Sequence, residues 1–283
     1  MDMAEEKHQP APRTGARVLA VHAFAVLLVF AFVNTFAIWR AFGEIFGQTA
    51  RDALPWIAMF LLALVLAFAV LRRKSVAQAS WFLLAGAIGL AAIGLSITDP
   101  AFPSKRIHVP QYFMLAVVVW VALPARLRTW TTPLFTLLAA ALYGVHDEFL
   151  QGLHSRRTFG LRDMTVNLCG AASGTLVMLA FLRGTRVEAG VNSTGSFPVT
   201  AMVALAAAVA GAILMAWAAT GFRNDLLPYW TALPVVVGGF WLMLEAERMP
   251  NPGDQYALRA LAAICTAFLL YPVLTDVAHL DFA

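Results

Sequence analysis

Charge is what this sequence has least of: Asp, Glu, Lys and Arg make up only 13% of its 283 residues, against 60% hydrophobic ones. A soluble domain carries about 25% charged and about 45–50% apolar residues, so the shortage points to a bilayer as the solvent of much of the chain. Cysteine is nearly absent too. Cys169 and Cys265 each lie inside an apolar stretch, with neither metal spacing nor a secreted disulfide framework, and read as small buried residues. Alternation of apolar and polar residues over about ten positions, the mark of a membrane β-barrel, is nowhere visible. Also missing are the H-E-x-x-H, G-x-S-x-G and P-loop motifs. The charge that is present leaves a net +4 and an isoelectric point near 9.4. In a membrane protein such a surplus belongs to short cytoplasmic loops, so it implies no nucleic-acid partner.

Long apolar runs fill the chain instead. A spanning helix needs about 20 mostly apolar residues. Nine runs qualify, at residues 18–39, 55–71, 81–97, 109–123, 133–150, 164–182, 199–220, 229–244 and 258–280. They predict an all-α fold, a polytopic transmembrane helix bundle of about nine helices, because bare backbone polar groups are not tolerated in hydrocarbon. The fourth and eighth runs are short, and the first and last are long enough to tilt. The first exceeds a typical signal-peptide core and no small-residue cleavage site stands out, so it reads as a retained helix. Residues 1–16 are polar and read as disordered. Two N-terminal helices then occupy residues 17–80, a four-helix core 81–183, and a linker with three C-terminal helices 184–283. The connection from Gly184 to Pro198 is the longest and marks the boundary.

Lys and Arg counts orient the bundle. One side collects Lys7, Arg13, Arg17, Arg72, Arg73, Lys74, Arg126, Arg128, Arg183, Arg186, Arg248 and Arg259, twelve of the 20 basic residues. The other side holds Arg40, Arg51, Lys105, Arg106, Arg156, Arg157, Arg162 and Arg223. The bias places the N-terminus inside and the C-terminus outside. Most of the outer charges fall in only two loops, before helix four and after helix five.

The second of these loops belongs to the stretch "VHDEFLQGLHSRRTFGLRDMTVN", Val145 to Asn167. Asp147 and Gln151 are four apart and share a helix face, with Glu148 about 100° around. Asp163 opens helix six, where a carboxylate can cap free amides. Asn167, Gly170 and Gly174 follow it in one stripe, polar at the top and small below, which lets another helix approach closely. Before helix four, "SKRIHVPQYF" adds Lys105, Arg106, His108 and Tyr112 at the same outer level. A charge facing lipid costs about 2.5–3.5 kcal/mol, so these groups should face inward or sit at the interface and neutralise one another.

"SKRIHVPQYFMLAVV" followed by "DEFLQGLHSRRTFGLRDMTVNLCGAASG" resembles the VanZ-like family. The family's Arg-x-His element and aromatic-rich helix start match Arg106, His108 and Tyr112. Its Asp-Glu-x-x-Gln motif and the following Arg, Asp, Asn and paired glycines match Asp147, Glu148, Gln151, Arg157, Asp163, Asn167, Gly170 and Gly174. The resemblance covers about residues 81–183. Two positions depart from it: Gln111 stands where the family often has an acid, and Ser155-Arg156 where it often has Pro-Gly. The resemblance implies a cell-envelope membrane protein related to glycopeptide (teicoplanin) resistance.

Three readings of the cluster stay open on the residues alone. It can be an ion-pair network that locks helices five and six. It can be an anion site at the outer leaflet, with Arg106, Arg156 and Arg157 holding a phosphate or carboxylate of a membrane lipid or a lipid-linked ligand. It can be catalytic, with His108 and the Asp147–Glu148 pair as base and acid, or with a metal on His108, Glu148 and Asp163, for which no sequence spacing speaks. The anion site is the preferred expectation. Its ligand-facing set is Arg106, His108, Tyr112, Asp147, Glu148, Gln151, Arg157, Asp163 and Asn167, with no metal or cofactor assigned. Elsewhere, His22 is expected to bond a neighbouring helix, and Trp120, Trp130, Trp230 and Trp241 to form an interfacial belt.

Overall fold

A computed structural model describes residues 14–72, 78–123, 127–154, 157, 159–183 and 197–282. Among them every regular element is helical, apart from an isolated bridge between Asp225 and Phe282. The ten α-helices are α1 (Thr14–Phe46), α2 (Gln48–Arg72), α3 (Gln78–Ile97), α4 (His108–Ala122), α5 (Thr132–Gly152), α6 (Leu161–Arg183), α7 (Val199–Ala219), α8 (Leu233–Arg248), α9 (Pro252–Ala267) and α10 (Leu270–Val277). Short 3-10 turns, Pro103–Ile107 and Tyr229–Thr231, lead into α4 and α8. The polar residues 1–13, the basic connection 73–77, Arg156 and most of the 184–198 linker lie outside the described residues. From Thr14 onward the chain is helical, so the last residues of the expected disordered tail already belong to α1.

Four stretches are long and apolar enough to cross a membrane: Gln48–Phe68, Leu161–Phe181, Val199–Ala219 and Pro252–Val277. The bent α1 adds a fifth if its two arms form one span, and Trp81–Ile97 is a shorter apolar helix. The expected run at 258–280 is divided. Pro272 cannot donate a backbone hydrogen bond, and near it the chain separates into α9 and α10. Three further prolines sit where a helix tolerates them, whereas Pro55 lies inside α2. Pro133, Pro234 and Pro252 fall within the first two positions of α5, α8 and α9, where the amide has no intrahelical partner.

α6 is the central strut, packed on α3, α4 and α5. Its small residues set the spacing. A Cβ on Gly170 would lie 2.6 Å from the Val109 carbonyl oxygen, and one on Gly174 would lie 2.5 Å from that of Phe113. Backbone therefore meets backbone along the α4–α6 seam, as the stripe in the sequence predicts. α7, α8 and α9 form a second layer, joined to the first where α9 packs on α5. α1 lies against α4 and α5 and pairs with α2. The surface of α2 carries Trp56, Ile57, Phe60, Leu61, Leu64, Val65 and Phe68 largely exposed. Such an apolar band suits lipid contact and not water.

α1 bends by 44° between Thr35 and Ala37. Just before the bend, Asn34 donates to the Phe30 carbonyl and Thr35 to the Ala31 carbonyl. Side-chain back-bonding of this kind competes with the helix ladder and favours bending. The Val33 carbonyl is then within reach of another donor, and it takes one from Arg157 at 3.3 Å.

Candidate functional site

The connections α3–α4 and α5–α6 come together at one end of the bundle. The 3-10 turn Pro103–Ile107 delivers Lys105, and His108 starts α4 directly after it. The last turns of α5 bring Asp147, Glu148 and Gln151, and the first turn of α6 brings Asp163. His108, Tyr112, Asp147, Glu148, Gln151, Asp163 and Asn167 are all buried, so the acids point into the bundle and not to lipid. Seven of the nine residues predicted from the sequence thus share one interior.

Their contacts form a chain. Lys105 Nζ lies 2.5 Å from Asp163 Oδ2. Glu148 Oε2 accepts from the Gly160 amide at 3.3 Å, and Oε1 from Gln151 Nε2 at 3.4 Å. Gln151 Oε1 accepts in turn from Arg157 Nη2 at 2.5 Å. The amide just ahead of α6 is therefore held by Glu148 of α5, whereas Asp163, in the first turn of α6, engages Lys105. Asn167 Nδ2 donates to the Gly144 carbonyl at 3.3 Å, which ties α6 to α5. His108 Nδ1 stands 3.7 Å from Asp147 Oδ2, and the His108 ring stacks beside Tyr112 with centroids 6.3 Å apart. Burial pulls the Arg157 guanidinium below the ordinary arginine pKa, while Asp147, Glu148 and Asp163 act in the opposite sense. Arginine starts so high that the group keeps its charge.

A cavity of about 260 Å³ opens beside this chain. Lys105, His108, Gln111, Gln151 and Arg157 give it a polar side, and Phe32, Trp39, Phe102 and Ile107 an apolar one. Two of those apolar residues come from α1, far in sequence from the others. Nothing in the local pattern of α1 announces this role; it follows from the bend that swings Trp39 toward the α3–α4 connection.

Arg106 goes elsewhere. Its guanidinium lies over the Trp56 ring of α2, 5.6 Å from the centroid, and it does not line the cavity. Lys105, one residue earlier, takes the inward position. Arg162 also turns outward, to Asp99 at 3.2 Å, and this exposed pair joins α3 to the head of α6. Asp276, near the end of α10, accepts from Tyr229 and stays at the surface. His22 of α1 pairs with the Tyr143 hydroxyl of α5 at 3.3 Å, as expected of a bond between helices. Of the four tryptophans, Trp130 and Trp230 are exposed near helix ends. Trp120 is buried, with Arg128 6.0 Å over its ring, and Trp241 lies within α8 and donates to Glu245. For these two, packing against neighbouring helices overrides the interfacial preference.

The sequence gives no sign of the support behind α5. His146 is sandwiched between the Tyr271 hydroxyl at 2.7 Å and the Ile264 carbonyl at 2.9 Å. Phe282 packs on Phe149 and Phe159. These contacts anchor the helix that carries Asp147 and Glu148 to the C-terminal layer. No family model, curated protein or solved structure matches the chain.

Proposed function

We propose that the chain is a VanZ-like integral membrane protein whose polar cavity binds the anionic headgroup of an envelope lipid or lipid-linked cell-wall precursor. The observation that carries the reading is the two-sided cavity. Lys105 and Arg157 present positive charge, while Phe32, Trp39, Phe102 and Ile107 present apolar surface beside it. An amphiphile with a phosphate or carboxylate at one end matches both sides at once. Asp163 orients Lys105, and Gln151 orients Arg157.

In this reading all nine apolar runs cross the inner membrane of a bacterium, N-terminus inside, with the cavity at the outer face. The short helices reach far enough because each has an extension. α4 has 15 residues, about 22 Å, and the preceding 3-10 turn of five residues adds about 10 Å. That approaches the roughly 30 Å of a hydrocarbon core. A role in glycopeptide sensitivity, as the resemblance implies, would follow from sequestering or altering such a precursor at the outer leaflet.

The test is lipid retention. The protein, purified in mild detergent, should keep phosphatidylglycerol in preference to phosphatidylcholine in native mass spectrometry. Arg157→Ala should keep its helical content and lose that preference. Equal retention of the two lipids by the unaltered protein, or an unchanged preference in Arg157→Ala, refutes the anionic-headgroup reading.

A further inference from the structure

We propose that His108, Asp147 and Glu148 form a binding site for one divalent transition-metal ion of the zinc or manganese class, beside the cavity that His108 lines. One ligand atom from each of the three residues lies within 4.8 Å of the others. All three side chains are buried, with Asp147 and Glu148 at 0% exposure. Ligand atoms about 2.1 Å from a zinc ion stand about 3–3.5 Å from one another, so small rotamer changes close the set. The His108 Nδ1 to Asp147 Oδ2 distance, 3.7 Å, is nearly there already.

The independent observation is a set of unmet atoms. His108 Nδ1 and both oxygens of Asp147 are enclosed and make no well-formed hydrogen bond among the described residues, although Tyr112 and Gln151 stand beside Asp147. Buried carboxylates ordinarily have their acceptors filled, and an exception asks for an explanation such as an ion. Two further enclosed atoms, the Tyr112 hydroxyl and Asn167 Oδ1, are also without a hydrogen-bond partner. They offer an outer ring for a metal-bound water or for the ligands themselves. Imidazole with two carboxylates suits first-row divalent ions, whereas an all-oxygen set would suit magnesium or calcium. Asp163, which the sequence offers as a ligand in place of Asp147, is engaged with Lys105 instead. His108 both belongs to the triad and lines the cavity, so an ion held there is adjacent to whatever the cavity contains.

The experiment is metal analysis of the full chain in detergent, with no lipid added. After stripping with EDTA, the protein should take up a single tightly held Zn²⁺ in equilibrium dialysis. Co²⁺ in its place should give visible ligand-field bands that Zn²⁺ displaces. His108→Ala and Asp147→Asn should each weaken uptake by more than about a hundredfold, since even outer-shell changes cost about 10–100-fold. Asp163→Asn should retain the ion. If the ligand variants fail to fold, the unaltered protein still decides: no uptake of Zn²⁺, or only weak multiple binding without Co²⁺ bands, means that the triad holds a proton instead and overturns the site. The result is separable from the headgroup reading. Zn²⁺ uptake without phosphatidylglycerol preference leaves the metal site and removes that occupant, and the converse leaves the cavity and removes the ion.

Discussion

Asp163 and Lys105 are unequal partners, and the inequality sets what each substitution should do. The Asp163 side chain is 3% exposed, while that of Lys105 is 28% exposed. Replacing Asp163 by Asn keeps a hydrogen-bond acceptor and leaves an ammonium that can turn toward water, so it should cost about 1–3 kcal/mol. Lys105→Met strands a buried carboxylate and should cost about 3–5 kcal/mol, the range for breaking a buried pair from one side. Thermal unfolding in detergent should therefore rank Lys105→Met well below Asp163→Asn. The reverse order would mean that Asp163 does not depend on Lys105 for its compensation. The same pair marks the limit of what one-dimensional reading can resolve. Lys105 and Arg106 are adjacent cations, and only the 3-10 turn that carries them decides which faces the cavity and which stacks on Trp56. By contrast Asp147, Gln151 and Asn167 were legible, because periodicity puts Asp147 with Gln151 and Asp163 with Asn167 on common faces, and the cost of a charge in lipid turns those faces inward.

At the scale of elements, the α4–α6 seam should be the least forgiving part of the site. Ala at Gly170 or Gly174 would push its methyl group against the backbone of α4, which cannot rotate away as a side chain can. Overpacking of this kind costs about 1–3 kcal/mol. It should also separate His108, on α4, from Asp147, on α5, because α6 touches both helices. Gly170→Ala is thus expected to lower the unfolding temperature and weaken Zn²⁺ uptake together. Gly89 in α3 is the matched control, since a Cβ there meets nothing within 4 Å. Gly89→Ala should be neutral or slightly stabilising, as Ala is the better helix former by about 1 kcal/mol. Similar losses from Gly89→Ala and Gly170→Ala would show that seam geometry is not the cause. The glycine stripe was readable, since it rests on short-range periodicity. The place of Trp39 beside the cavity and the packing of Phe282 on Phe149 were not, because each depends on contacts between residues far apart in the sequence.

For the whole molecule, the order of helices separates two rims. The α1–α2, α3–α4, α5–α6 and α7–α8 connections end at the rim that holds Asp147 and the cavity, together with the bridge of Asp225 to Phe282. The α4–α5 and α8–α9 connections end at the opposite rim, where Thr131 donates to Asp254 at 2.6 Å. Both native cysteines are buried, so removing them as Cys169→Ala and Cys265→Ala gives a background in which one new thiol reports its own position. On intact cells, a membrane-impermeant maleimide should label Gln48→Cys and Asn224→Cys, from the cavity rim. Trp130→Cys and Asn251→Cys should react only after the membrane is opened. The Lys and Arg counts of the sequence make this polarity the expected one. Labelling in the reverse pattern would keep the bundle but place the cavity at the inner leaflet. Labelling of all four positions from one side would contradict the two-rim arrangement itself, and with it the convergence of α4, α5 and α6 on which the site depends.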